Sequence, residues 1–183
     1  MPVPTLTIGA TKLVMDRGDI TTQSTDAIVN AANTGLRGGA GVDGAIHHAG
    51  GPTIMEECRK LGRCPTGKAV VTKAGRLQAK WVIHAVGPIY AGLTSDNTEL
   101  ASAYRESLMR AVEVQARSVA FPCISTGAYG FPVKQAAPIA IGTVSKFVED
   151  NPDKFDLIRF VIFTDADYAA YFGEFTRRGA VRG

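Results

Sequence analysis

Apolar positions along the chain fall into two rhythms, short continuous runs and longer segments with helical spacing. Thr5 to Ile8 and Lys12 to Asp16 read as two short strands that turn at Gly9. Asp26 to Asn30, carrying Ala27, Ile28 and Val29, reads as a buried strand, and Gly41 to Ala49 as a helix. Pro52 opens a second helix that runs to about Leu61. Lys68 to Lys73 and Trp81 to Val86 are rich in β-branched and aromatic residues and read as strands. Asp96 to Ala116 is the clearest helix, with Leu100, Tyr104, Leu108, Ala111 and Gln115 at helical spacing and Asp96 with Glu99 as a capping pair. Ser118 to Ile124 is a strand, Gln135 to Val148 a helix, Leu157 to Phe163 a strand and Tyr168 to Arg177 a final helix.

Strands alternating with helices predict an α/β fold of three layers, α/β/α, around a mixed but mostly parallel sheet. The opening pair of strands adds an antiparallel N-terminal edge. Ligands in such folds bind beyond the carboxyl ends of the strands. Two glycine-rich loops follow strands and so belong at that end.

The first loop lies in residues 30–51, where seven of twenty-two residues are glycine. It leads from a strand into a helix, whose first N–H groups lack internal partners and sit at the positive end of the dipole. It also carries the amide of Asn33 and the carboxylate of Asp43. The second loop is Ser125 to Pro132. Ser125, Thr126, Gly127, Ala128 and Gly130 offer a run of backbone N–H groups for an anion, with Tyr129 and Phe131 to cover an apolar part of the ligand. A plain strand-to-helix connection stiffened by Pro132 is the competing reading. Two such loops at one sheet edge suit a diphosphate.

Two familiar patterns do not hold. Gly39 to Gly44 fits GxGxxG, but the preceding strand ends nine residues earlier and no acidic residue closes a strand about twenty residues on. Gly62 to Ala69 nearly fits a Walker A loop, but Ala69 stands where a magnesium-binding hydroxyl is needed and a strand follows instead of a helix.

Composition narrows the field. A chain of 183 residues, 45% apolar and 20% charged, is expected to form one domain with a core over about residues 5–175 and a short Arg-rich tail. Met1 to Thr5 lacks the basic start and apolar core of a signal peptide, and no apolar run reaches transmembrane length, so a cytoplasmic protein without membrane contact is expected. A net charge of +3 with dispersed basic residues gives only weak support to a nucleic-acid partner, and Arg177, Arg178 and Arg182 read as a solvated tail. Cys58, Cys64 and Cys123 are odd in number and lack CxxC spacing, which argues against a disulfide framework and for reduced buried thiols. No His, Cys and carboxylate spacing implies a metal. His47 on the first helix and His84 within a strand read as hydrogen-bonded structural histidines, and His48 has no distinguishing context.

The blocks Gly18-Asp19-Ile20-Thr21, Asp26 to Asn33 and Gly38 to His47 together resemble a macrodomain of the MacroD type. Cys64 to Gly67, Val82 to Pro88 and Ala120 to Pro132 continue the resemblance in the family's order, from about Thr5 to Phe175. The family binds ADP-ribose, and no cofactor is expected for this sequence. The resemblance places Asp19 against the adenine amino group, where the residue alone reads as a turn or cap, with Ile20 beside it and Phe163 near adenine. It places Ala31 among the ligand contacts, the Gly41–Val42 backbone and residues Ser125, Thr126, Gly127, Ala128 and Gly130 around the diphosphate, and Tyr129 beside the distal ribose. Asn33 and Asp43 face that ribose. It further implies hydrolysis of O-acetyl-ADP-ribose and of mono-ADP-ribose esters on Asp or Glu side chains of proteins. Asp43 would position or activate the water, with a ligand phosphate sharing the proton handling. Ala40 stands where the family commonly has glycine, which suits a negative φ only. A non-catalytic ADP-ribose reader and an RNA-associated partner are the competing functions, and the presence of both Asn33 and Asp43 favours the enzyme. A monomer is expected.

Overall fold

A computed structural model describes residues 2–182. The elements run β1 (Pro4–Ile8), β2 (Thr11–Arg17), a 3-10 turn (Ile20–Thr22), β3 (Ala27–Ala31), α1 (Gly41–Gly50) and α2 (Pro52–Leu61). They continue through β4 (Ala69–Lys73), β5 (Trp81–Ala85), α3 (Thr94–Glu113), β6 (Ser118–Phe121), α4 (Val133–Asp150), β7 (Leu157–Ile162), α5 (Asp165–Arg177) and β8 (Val181–Arg182). One eight-stranded sheet joins them in the order β4-β5-β3-β6-β7-β2-β1-β8.

The five strands from β5 to β2 are parallel, and their side chains alternate between two cores. Ala27, Val29, Ile83, Val119, Phe121, Ile158 and Phe160 join the core under α3, α4 and α5. Ile28, Val82, Ala120 and Val161 point the other way, into a smaller core with Ile46 of α1 and Ile54 and Cys58 of α2. This period-two split across strands buried on both faces makes the fold a three-layer α/β/α sandwich.

Three features depart from the sequence reading. The sheet is antiparallel at both edges, because β4 returns on β5 with Val71 opposite Ile83. The Arg-rich terminus is folded rather than a free tail. Arg177 and Arg178 close on the buried carboxylate of Glu174, and β8 pairs with β1 at Thr5 and Val181. A buried carboxylate needs such partners, and a two-residue strand leaves too short a pattern to read. Phe131 is buried against Tyr90, with ring centroids 4.9 Å apart, and covers no ligand site. Helix starts also move: α3 begins at Thr94, where Asp96 accepts hydrogen bonds from the Ala91 and Leu93 N–H groups, and α5 begins after the cap Thr164. Among the described residues no helix is long and apolar enough to cross a membrane.

Candidate functional site

Four parallel strands, β3, β6, β7 and β2, lie side by side and deliver every sequence-flagged residue to their carboxyl ends. After β3 come Asn33 and the loop into α1. After β6 comes the loop 125–130, after β7 Phe163, and after β2 Asp19 and Ile20.

The helix α1 opens without a side-chain cap, its first internal bond running from Gly44 N to Ala40 O at 3.3 Å. The N–H groups of Gly41, Val42 and Asp43 precede that bond and are free for an anion. Ala40 has φ −91°, so its methyl group is accommodated, whereas Gly41 has φ +60° and takes the conformation that glycine tolerates best. The loop packs tightly on the helix: a Cβ on Gly44 would stand 2.4 Å from the Gly39 carbonyl oxygen.

The second cradle is a closed turn. Phe131 N donates to Ser125 O at 2.9 Å and Gly130 N to Gly127 O at 3.0 Å. Ser125 takes φ +68°, held by its hydroxyl on Pro88 O at 2.8 Å. The N–H groups of Ser125, Thr126, Gly127, Ala128 and Tyr129 find no acceptor among the described residues. Five successive unpaired N–H groups in one turn are what an anion nest would use. Gly130 contributes its turn conformation rather than its N–H, which is already engaged. The Tyr129 carbonyl accepts from Tyr90 N at 2.9 Å, and its ring stays half-buried.

At the β2 and β7 end, Asp19 caps the 3-10 turn with Oδ1, which accepts from Thr21 N at 2.8 Å and Thr21 Oγ1 at 2.7 Å. Its Oδ2 makes no hydrogen bond among the described residues, so the cap uses one carboxylate oxygen. Ile20 is buried beneath. Phe163 is 76% exposed, so it is not core, and its carbonyl is fixed by Arg17 Nη2 at 2.8 Å. Arg17 stands opposite Ile162 in the β2–β7 ladder, which puts Asp19 and Phe163 on adjacent strand ends.

At the β3 end, Asn33 ties its own loop together, with Oδ1 accepting from Arg37 N at 3.0 Å and Nδ2 donating to Gly38 O at 2.8 Å. One amide hydrogen and one lone pair remain. Ala31 ends β3 half-buried. Asp43, 6% exposed, is held through one oxygen: Oδ1 accepts from Asn30 Nδ2 at 2.8 Å and stands 3.2 Å from His47 Nε2. Oδ2 makes no hydrogen bond among the described residues. It faces Gly39, where a Cβ would lie 3.5 Å from Asp43 Oδ2 and 4.0 Å from Asn33 Nδ2.

Behind Asp43 the proton order can be assigned. Asn30 Nδ2 only donates, so His84 Nδ1, 3.1 Å away, accepts. His84 Nε2 then donates to Thr72 Oγ1 at 2.9 Å, and Thr72 passes its own hydrogen to Lys73 O at 3.0 Å. Burial, with His47 nearby, pulls the His84 pKa down to about 3, so the ring is neutral. Asn30 and the His47–Asp43 contact were not singled out from sequence. The signals were present: a polar residue ending an apolar run, and a histidine four residues after an aspartate on one helix.

The fold also gathers donors that sequence spacing did not show. One ligand atom each from His47, Cys58 and His84 lie within 4.8 Å of one another. His84 would have to leave Thr72 to bind a metal there, and burial pushes the Cys58 thiol up to about 11. As it stands, Cys58 Sγ lies 3.8 Å from His84 Nε2, and the buried His47 Nδ1 has no hydrogen-bond partner among the described residues. Cys64 is likewise pushed up to about 11, and all three cysteines are free.

The architecture and site thus define a three-layer α/β/α protein with two amide cradles and a held carboxylate along one sheet edge. Comparison with known proteins gives the family. The chain belongs to the macro domain family, whose model matches residues 29–140. It is 55% identical over 165 residues to a macro domain-containing protein of Caldanaerobacter subterraneus, covering 87% of this chain and 93% of that protein. It is 51% identical over 162 residues to the ADP-ribose glycohydrolase MACROD2 of Xenopus laevis, covering 87% of this chain but 39% of that longer protein. The solved Oceanobacillus iheyensis macrodomain with ADP superposes with TM-score 0.90 at 37% identity over 95% of each chain. The Trypanosoma brucei macrodomain in complex with ADP-ribose gives TM-score 0.84 at 39% identity, over 91% of this chain and 69% of that one.

Proposed function

We propose that this chain binds ADP-ribose along the sheet edge and hydrolyses esters on its distal ribose. The observation that carries the reading is the strand order β3-β6-β7-β2. It sets the held carboxylate, the anion nest, and the Phe163–Asp19 pair in one line. Three strand spacings of about 4.8 Å span roughly 14 Å, the scale of an extended nucleoside diphosphate sugar. Adenine lies against Phe163 with its amino group on Asp19, and the diphosphate takes the N–H groups of residues 125–129 and of Gly41 and Val42. The distal ribose reaches Asn33 and Asp43. Relatives support this reading, since macrodomains with ADP or ADP-ribose bound share the fold, and MACROD2 is named a glycohydrolase.

The chemistry follows from Asp43. Asn30 and His47 occupy Oδ1, which aims Oδ2 and leaves it as the acceptor for a water proton. The water oxygen adds to the acyl carbon of the ester, and the bond from that carbon to the ribose oxygen breaks. The proton taken from water goes to the departing ribose oxygen, so a free acid and a ribose hydroxyl result. Substrates of this reaction are O-acetyl-ADP-ribose and proteins carrying mono-ADP-ribose on Asp or Glu. Asn33 holds the ribose while its own loop contacts fix the amide. The solved relatives include one asparagine-to-alanine and one aspartate-to-alanine variant, ten residues apart like Asn33 and Asp43. Calorimetry with ADP-ribose, followed by release assays on a glutamate-modified protein with wild type and Asp43→Asn, tests the reading. Binding with no release by wild type would make the chain a reader instead.

A further inference from the structure

The ribose-facing residue Asn33 has a second side. A cavity of about 750 Å³ opens there, lined by Asn33, Thr34, Gly35, Arg37, Gly38, Gly62 and Arg63. It lies between the loop that follows β3 and the turn that follows α2, which are tied by Cys64 N donating to Thr34 O at 2.9 Å. No residue of the 125–130 nest lines it, so it is separate from the diphosphate cradle.

Its wall carries two guanidinium groups and no carboxylate. The side chains of Arg37 and Arg63 make no ion pair or hydrogen bond among the described residues, a state they share with Arg59, Arg76 and Arg105, while Arg17, Arg110, Arg117, Arg159, Arg177 and Arg178 pair with carboxylates. What sets Arg37 and Arg63 apart is that both line one cavity beside Asn33. Arg37 is laid across the loop: a Cβ on Gly35 would come 2.8 Å from its Nε. The Arg37 N–H also anchors Asn33 Oδ1, so the guanidinium and the ribose-facing amide are built into one turn.

We infer that this cavity is an acidic-peptide subsite: it receives carboxylates that flank the modified Asp or Glu of an ADP-ribosylated protein. The inference rests on the proposed hydrolase reading, which puts the scissile ester at Asn33 and Asp43. The protein attached through that ester must then leave the cleft beside Asn33, within reach of both arginines. Unpaired guanidinium groups with a planar fork of donors suit carboxylates. The mouth is open to water, so the gain per contact is that of an exposed ion pair and weakens with salt.

The test compares two peptides, each with one glutamate-linked ADP-ribose, one flanked by glutamates and one by glutamines. Wild type should release ADP-ribose from the acidic peptide with a kcat/KM roughly tenfold higher at low salt. The Arg37→Gln/Arg63→Gln double variant should bring the two peptides to within about twofold, and Arg63→Gln alone, outside the Asn33 turn, should narrow the ratio with affinity for free ADP-ribose unchanged. A wild-type ratio near one, or an acidic preference that survives in the double variant, overturns the subsite. A preference that appears instead for oligomeric ADP-ribose over the acidic peptide also overturns it and assigns the cavity to a further phosphate. Wild type that binds ADP-ribose but cleaves neither peptide sinks the hydrolase reading, and the subsite is then judged on binding. Tighter binding of the acidic peptide that is lost in the double variant supports it, and equal binding of the two peptides overturns it.

Discussion

Asn30, at the end of a central strand, donates a hydrogen bond of 2.8 Å to Asp43, in the first turn of the helix that follows. The same amide nitrogen reaches His84 on the neighbouring strand at 3.1 Å. A fully buried asparagine thus spans sheet and helix and fixes one oxygen of the carboxylate to which the proposed hydrolysis is assigned.

Asn30→Ala should therefore act through Asp43. The expected outcome is a fall in kcat of roughly tenfold or more, with the calorimetric affinity for ADP-ribose within about threefold of wild type. The split matters, because a merely destabilised pocket would lose affinity as well. Loss of both together, in protein that is still folded by circular dichroism, would count against a positioning role.

Phe163 offers the cleanest test of the adenine end. Its ring is exposed and contributes little to the core, so Phe163→Ala should leave Tm within about 1 °C of wild type. Loss of stacking should weaken ADP-ribose binding by roughly tenfold. An unchanged dissociation constant would move adenine elsewhere.

How much of this was legible in the sequence differs by element. The strand and helix alternation sufficed for the layers, because strands buried on both faces read as continuous apolar runs such as Ala27-Ile28-Val29. The antiparallel pairing of β4 on β5 was not legible: Val70 and Val71 announce a strand but not its direction. The Arg-rich terminus was misread for a related reason, since the buried Glu174 that recruits Arg177 and Arg178 looks like any helical glutamate. In the candidate site, the two loops and the pair Asn33 and Asp43 stood out by composition and spacing. His84 was read as a hydrogen-bonded structural histidine, and it is one. Asn30 and the contact of His47 with Asp43 did not stand out, because they depend on two adjacent strands and a helix face coming together.

The His84 ring predicts a pH dependence of stability. Its folded pKa of about 3 lies below the unfolded value near 6.5, so the unfolded chain binds the extra proton between those limits. This contribution to stability is complete above about pH 6.5 and is lost as pH falls toward 3, at up to about 1.4 kcal/mol per pH unit. Urea unfolding across pH 7 to 4 should show the decline. A His84→Gln variant, which cannot take up that proton, should show a flatter profile even if it is less stable throughout. Parallel profiles for the two proteins would remove His84 as the source.

The account turns on Asp43, and the most direct measurement is single-turnover release of ADP-ribose from a glutamate-modified protein by wild type and Asp43→Asn. The substitution keeps the shape of the side chain while removing its capacity to take a proton from water. ADP-ribose affinity should stay within about threefold, while the release rate should fall by roughly 10² or more. Release at the wild-type rate by a folded, ADP-ribose-binding Asp43→Asn protein would contradict the account and pass the proton-handling role to the ligand's own phosphate.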